Sequence, residues 1–195
     1  MSVRELKMAE TRKKLITVAR RVFAEHGYAE TSMDKLTAEA GLTRGALYHH
    51  FGDKKGLFAA VVDQIDTEMA EHSKAEAHHA PDDLWQGLML EGRTYIEKAL
   101  NPEFQQIVLK DGPAVLGDPA HWPSQSKCLE STRHCVEQLL QQQRLKPVNA
   151  LAAAVYLNGA AMNAALWVAS SEDPAQVLPL ALQAFEVFAS GFLKS

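Results

Sequence analysis

The stretch TSMDKLTAEAGLTRGALYHHFGDKKGLF, residues 31–58, sets the tightest limit on how this chain can fold. Met33, Leu36 and Ala40 recur at helical spacing and give a first short helix one apolar face. A hydroxyl at Thr31 or Ser32 can cap that helix, accepting from the free N–H groups of its opening turn. Gly41 then supplies the left-handed backbone that a helix C-terminus commonly takes. Leu42 to Phe51 resumes at once, with Ala46, Leu47 and Phe51 inward and Arg44, Gly45, Tyr48 and His49 outward. A helix, a glycine turn and a second short helix make a helix-turn-helix, a unit whose second helix enters the major groove of DNA.

Around this stretch the sequence resembles the N-terminal domain of the TetR/AcrR family of transcriptional regulators. The resemblance is dense from Thr11 to Val62, and three segments carry it most specifically. They are F-A-E-x-G-Y-x-x-T-S from Phe23 to Ser32, G-A-L-Y-x-H-F from Gly45 to Phe51, and the following Asp53, Lys54 and Leu57. It implies an all-α protein, with a three-helix helix-turn-helix domain over residues 1–58 and a helical ligand-binding and dimerisation domain over 59–195. By position, the family's base-touching residues fall on Arg44, Gly45 and Tyr48, with Thr31, Ser32, Thr43, His49, His50 and Lys54 toward the DNA backbone.

The side chains suit those roles. Arg44 has the fork that pairs bidentately with guanine O6 and N7. Gly45 lets the helix approach the groove closely, and Tyr48 can either give its hydroxyl to phosphate or meet a thymine methyl. Asp53 caps the next helix and places Lys54 in its first turn, where a cation and free N–H groups can share one phosphate. Adjacent His49 and His50 diverge by about a quarter turn and imply no metal.

Charge is divided along the chain. Residues 1–60 hold 11 Lys/Arg against 7 Asp/Glu, and residues 61–195 hold 9 against 17, so an overall −4 conceals a +4 head and a −8 remainder. Positive charge lies where phosphate would be met. Thr11 to His26 reads as an amphipathic helix ended by Gly27, with Thr11, Arg12 and Lys13 at its start. The polar opening MSVRELKMAET lacks a signal-peptide core, and no apolar run was expected to approach the ~20 residues of a membrane span. The chain is therefore expected in the cytoplasm, without a membrane partner. Cys128 and Cys135 make no disulfide framework; two turns apart on one helix, they read as small packed side chains.

The remainder shows helical periodicity punctuated by Pro and Gly. The helix from Asp53 is expected to run toward Ala77, with a break at Pro81 and a new helix from Asp82 to Leu100. A short helix from Glu103 to Lys110 follows, then DGPAVLGDPAHWP, residues 111–123, read as a packed loop or lid. Helices from Ser124 to Gln143, Pro147 to Ser170 and Pro174 to Leu193 close the chain. The last is apolar on two sides and needs covering on both, which calls for a partner subunit. The resemblance implies a four-helix dimer interface from the last two helices, and Val155, Gly159, Met162, Leu178, Phe185 and Phe188 are its candidates; which side faces the partner stays open.

No G-x-S-x-G, H-E-x-x-H or phosphate loop is present, and the chain is not expected to be an enzyme or to hold a cofactor. Trp85, Met89, Phe104, Trp122, His134, Met162, Asn163 and Trp167, with Tyr95 and Asn158, are candidates to line a pocket for a small hydrophobic or aromatic ligand. The expectation is a homodimeric repressor that binds a palindromic duplex operator and releases it when a small molecule binds. The alternative is a helical adaptor of the same fold that does not read DNA.

Overall fold

A computed structural model of the chain describes residues 2–77 and 83–194. The first helix, α1 (Val3–Glu30), starts well before Thr11 because Ser2 and Glu5 form a capping box. Ser2 Oγ accepts from Glu5 N at 3.2 Å, and the Glu5 carboxylate accepts from Ser2 N at 2.7 Å. Gly27, at φ 72°, interrupts α1 close to its end. The Tyr28 N–H beyond that break donates to the Asp111 carboxylate at 2.7 Å.

α2 (Met33–Ala40), α3 (Arg44–Phe51) and α4 (Lys54–Ala77) follow. Ser32 caps α2 by accepting from Lys35 N at 3.1 Å, and Thr43 caps α3 by accepting from Ala46 N at 3.2 Å. Between them Gly41 sits at φ 60°, the left-handed conformation a side chain resists. Asp53 Oδ1 accepts from Gly56 N at 2.7 Å and closes the first turn of α4.

That turn is built against backbone. A Cβ on Gly56 would lie 2.0 Å from the Phe51 carbonyl oxygen, which no rotamer change can relieve. Gly56→Ala is therefore expected to destabilise the reading head by about 1–3 kcal/mol. A urea titration of the variant beside the wild type checks this, and an unchanged midpoint would show that the turn relaxes freely.

By packing, the chain divides into two units: Met1–Ile65 with Pro102–Pro119, and Asp66–Asn101 with Ala120–Ser195. The expected division at 58/59 ignored two things. Val61, Val62 and Ile65 of α4 are buried, and a later stretch returns to pack on α1. That stretch is α6 (Pro102–Phe104), the π-helical Gln105–Asp111 and α7 (Gly112–Leu116). It buries Phe104, Ile107, Val108 and Leu109. A fork-to-fork pair, Arg20 to Glu103 at 2.7 and 2.8 Å, ties it to α1. At the centre of this unit Phe23, Tyr28 and Phe58 meet with ring centroids 5.0–5.8 Å apart.

The loop expected over 111–123 is only partly a loop. Gly112–Leu116 is helical, since Pro113 suits a first helical turn, and Gly117 at φ 85° stops it. Pro119–His121 adds one 3-10 turn. The helical start expected at Asp82 and the break at Pro81 lie outside the described residues.

In the second unit α9 (Ala150–Ser170) packs against α5 (Leu84–Glu97), α8 (Pro123–Gln141) and α10 (Pro174–Ser190). Buried Ala153, Ala154, Ala161 and Ala165 let those neighbours come close. Contrary to the sequence expectation, α9 is long and apolar enough to cross a membrane by length and composition, with mean hydropathy 1.4 over its richest window. Its alanines disguise this, each contributing little alone. Asp83 caps α5 by accepting from Trp85 N at 2.8 Å and pairs with Arg144 at 2.6 Å. The end of the chain pairs back through Lys146 N to Phe192 O at 2.8 Å and Lys194 N to Arg144 O at 2.9 Å. Both cysteines are free. Burial, assisted by Glu91, pushes the Cys135 thiol up to about 11, which opposes the thiolate a redox sensor needs.

Candidate nucleic-acid interface

Helix α3 presents Thr43, Arg44, Gly45, Tyr48 and His49 to solvent and buries Leu47 beneath them. Tyr48 is 53% exposed, whereas its neighbour Leu47 is fully buried. His50 is half-buried; burial first, then His49 and Arg12, hold its pKa below the usual histidine range, so it favours the neutral ring.

The Arg44 fork is not idle. Its Nε and Nη2 donate to the two carboxylate oxygens of Asp34 on α2. Arg44 draws the Asp34 pKa down through that hydrogen bond, and both groups stand in solvent. An exposed pair of this kind is screened by water and salt and can be exchanged for another partner. Asp34 was missed by the sequence reading because ten positions and a turn separate it from Arg44.

Thr31 is a correction. It is 2% exposed and donates its hydroxyl to Gly27 O at 2.8 Å, so it holds the end of α1 and offers nothing to phosphate. Ser32 is exposed, with its oxygen engaged as the α2 cap. Lys54 is half-buried, its Nζ 4.1 Å from the Tyr28 ring centroid and 3.4 Å from Ala29 O. Burial lowers its pKa, while Asp111 and Glu30 work against that shift. Also missed were Arg4 and Lys7 on the early turns of α1, which line a shallow groove with His49 and His50 beside α3. The S-V-R-E capping box would have extended α1 far enough to find them.

Comparison with known proteins agrees with this geometry. Residues 15–61 match the family described as bacterial regulatory proteins, tetR family, and residues 85–192 match a tetracyclin repressor-like C-terminal domain. The chain belongs to the TetR family. A TetR-family transcriptional regulator from Pectobacterium atrosepticum is 46% identical, with a TM-score of 0.85 and coverage of 100% of this chain and 99% of that one. The transcriptional repressor AcnR of Corynebacterium glutamicum is 43% identical over 65 residues, 33% of this chain and 35% of that protein. A repressor of Mycobacterium tuberculosis, Rv1474c, is 38% identical over 74 residues, 38% and 40% of the two chains. The chain thus spans little more than a third of those curated relatives. TetR-family regulators are DNA-binding transcription factors, not enzymes.

In this TetR-family chain the second unit contains a cavity of about 310 Å³. Of the pocket candidates, Met89 and Met162 line it, together with Tyr95 and Asn158. The Tyr95 hydroxyl lies 3.0 Å from Met162 Sδ, and burial, then Asp66 and Cys128, raise its pKa. Trp85 and Trp122 are buried in packing and do not line the cavity. Phe104 belongs to the other unit. His134, Asn163 and Trp167 are exposed, because helical phase turns them away from the cavity-lining faces of α8 and α9. Asp66, Glu91, Ser124, Gln125 and Phe185 line it and were missed, since only packing tells which face of each helix is inward.

The dimer candidates separate in the same way. Val155 is 49% and Phe188 44% exposed, and Gly159 is exposed one turn after Val155. Leu178 is half-buried. Phe185, 4% exposed, and Met162 face inward to the cavity instead. Leu151, Tyr156, Trp167, Leu180 and Val187 add to the exposed apolar set on α9 and α10.

Proposed function

We propose that this protein is a homodimeric repressor that reads a palindromic operator through α3 and releases it when a small molecule occupies the cavity of the second unit. The observation carrying the DNA reading is the outward face of α3, where Arg44, Gly45 and Tyr48 stand exposed over a packed underside. Arg4, Lys7 and Lys54 place cationic charge on the same unit. In a dimer, two such helices about 34–36 Å apart would meet successive major grooves. A ligand that prefers another separation would draw the population away from the DNA-competent form.

Selection of bound sequences from random duplex DNA tests this directly. The expected product is a palindrome whose affinity falls steeply with salt. Recovery of no preferred sequence would sink the operator reading and favour an adaptor that does not read DNA.

Lys54 makes a narrower test. Lys54→Ala is expected to weaken selected and random duplexes alike and to reduce the slope of log affinity against log salt by about one per protomer. Titrations at several salt concentrations check it. An unchanged slope would mean that the contact with Tyr28, not phosphate, is what the lysine serves.

A further inference from the structure

Helix α1 carries a stripe of side chains that the helix-turn-helix itself does not need. Val3, Arg4, Lys7 and Met8 share one face of its first turns and form a groove with His49 and His50 of α3. The stripe lies before residue 15, where the family match begins, so it is not part of the matched domain. Arg4 and Lys7 are exposed, and neither pairs with a carboxylate among the described residues. The acid beside them, Glu5, spends its carboxylate on the Ser2 N–H at 2.7 Å. Among the described residues every arginine except Arg4 and Arg12 is paired with a carboxylate. Arg12 also turns to α3, its guanidinium 5.4 Å from the Phe51 ring centroid. Uncompensated guanidinium charge is thus gathered where α1 meets the reading helix.

The groove is apolar as well as cationic, with Val3 74% and Met8 39% exposed. A sugar–phosphate strand has the complementary pattern: anionic phosphates separated by deoxyribose, whose C–H faces are apolar. Each phosphate met by a lysine or arginine releases condensed counterions, which favours the contact most at low salt.

We propose that this groove is a second grip on DNA. Arg4 and Lys7 each take a phosphate of the strand bordering the major groove that α3 enters, and Val3 and Met8 lie against its sugars. This rests on α3 as the reading helix and adds the residues that hold its flank. Such contacts supply affinity and orientation, not sequence preference.

Anisotropy titrations of the full-length protein with a fluorescein-labelled duplex of random sequence, at several salt concentrations, test it. The double variant Arg4→Gln, Lys7→Gln changes exposed positions only and keeps good helix formers there. It is expected to bind at least about tenfold more weakly at low salt and to lose about two from the slope of log affinity against log salt per protomer. Lys13→Gln removes a charge from α1 outside the groove and should leave the slope near that of the wild type. A double variant with wild-type affinity and slope, or a Lys13→Gln that loses as much per charge, would overturn the proposal and leave α3 as the reader. Sequence selection separates the two readings. The same palindrome recovered by wild type and double variant, more weakly by the latter, supports both. No preferred sequence from the wild type, with the double variant still losing slope on random duplex, overturns the operator reading and supports the groove.

Discussion

Val187→Glu should convert the proposed dimer into a folded monomer. Val187 is 67% exposed on α10, in the same exposed apolar set as Leu180 and Phe188 of α10 and Val155 and Tyr156 of α9. Two copies of such a face would bury one another, and a glutamate there would be desolvated without a partner. Breaking the balance of a buried charge costs about 3–5 kcal/mol, so the dissociation constant should rise by about a hundredfold or more. Phe185→Glu should behave differently. Phe185 is 4% exposed and lines the cavity, which already holds Asp66, Glu71 and Glu91, so a fourth carboxylate strikes the fold itself. Sedimentation combined with far-ultraviolet circular dichroism separates the two results. The first variant should sediment as a helical monomer with greatly weakened operator binding, and the second should lose cooperative unfolding. A Val187→Glu protein that remains a tight dimer would remove this face as the interface.

Arg44→Ala should cost the most among single changes in the reading head. A bidentate arginine–guanine contact discriminates against the wrong base by about ten- to a hundredfold, and that margin should vanish at one position of each half-site. Asp34 gives the prediction a second arm. Its carboxylate occupies the Arg44 fork before DNA arrives, so base reading requires exchange of one partner for the other. Asp34→Ala removes the competitor and a negative charge beside the phosphates, and should tighten binding to the operator at least as much as to random duplex. Competition titrations at fixed salt, with operator and single-base variants, measure both effects. If Arg44→Ala weakens every duplex equally, the side chain grips phosphate and the base reading belongs elsewhere on α3.

Much of the reading head was legible from the sequence because its signals are local. A capping hydroxyl at Ser32, the left-handed Gly41 and the Asp53 cap act within one turn of chain, and each appears in the structure where the sequence put it. The outward set of Arg44, Gly45 and Tyr48 follows from helical phase once Leu47 is taken as inward. Thr31 shows the limit. Two adjacent hydroxyls fit the same cap, and only the close of α1, where Thr31 donates to Gly27 O, decided which one was spent inside.

Sequence alone determined the glycine turn after α2 and the capped start of α4, since caps and glycines are short-range constraints. Tertiary structure decided what no short-range rule contains. It sent 102–119 back to α1, through Arg20 with Glu103 and Asp111 with Tyr28, residues 83 apart in each case. It chose between the two apolar sides of α10, turning Phe185 to the cavity and Val187 to solvent. It also set Asp66 in the wall of that cavity, although a lone aspartate in an amphipathic helix reads as a solvated residue. Helical periodicity says that a face is apolar; which neighbour covers it depends on contacts between helices distant in the chain.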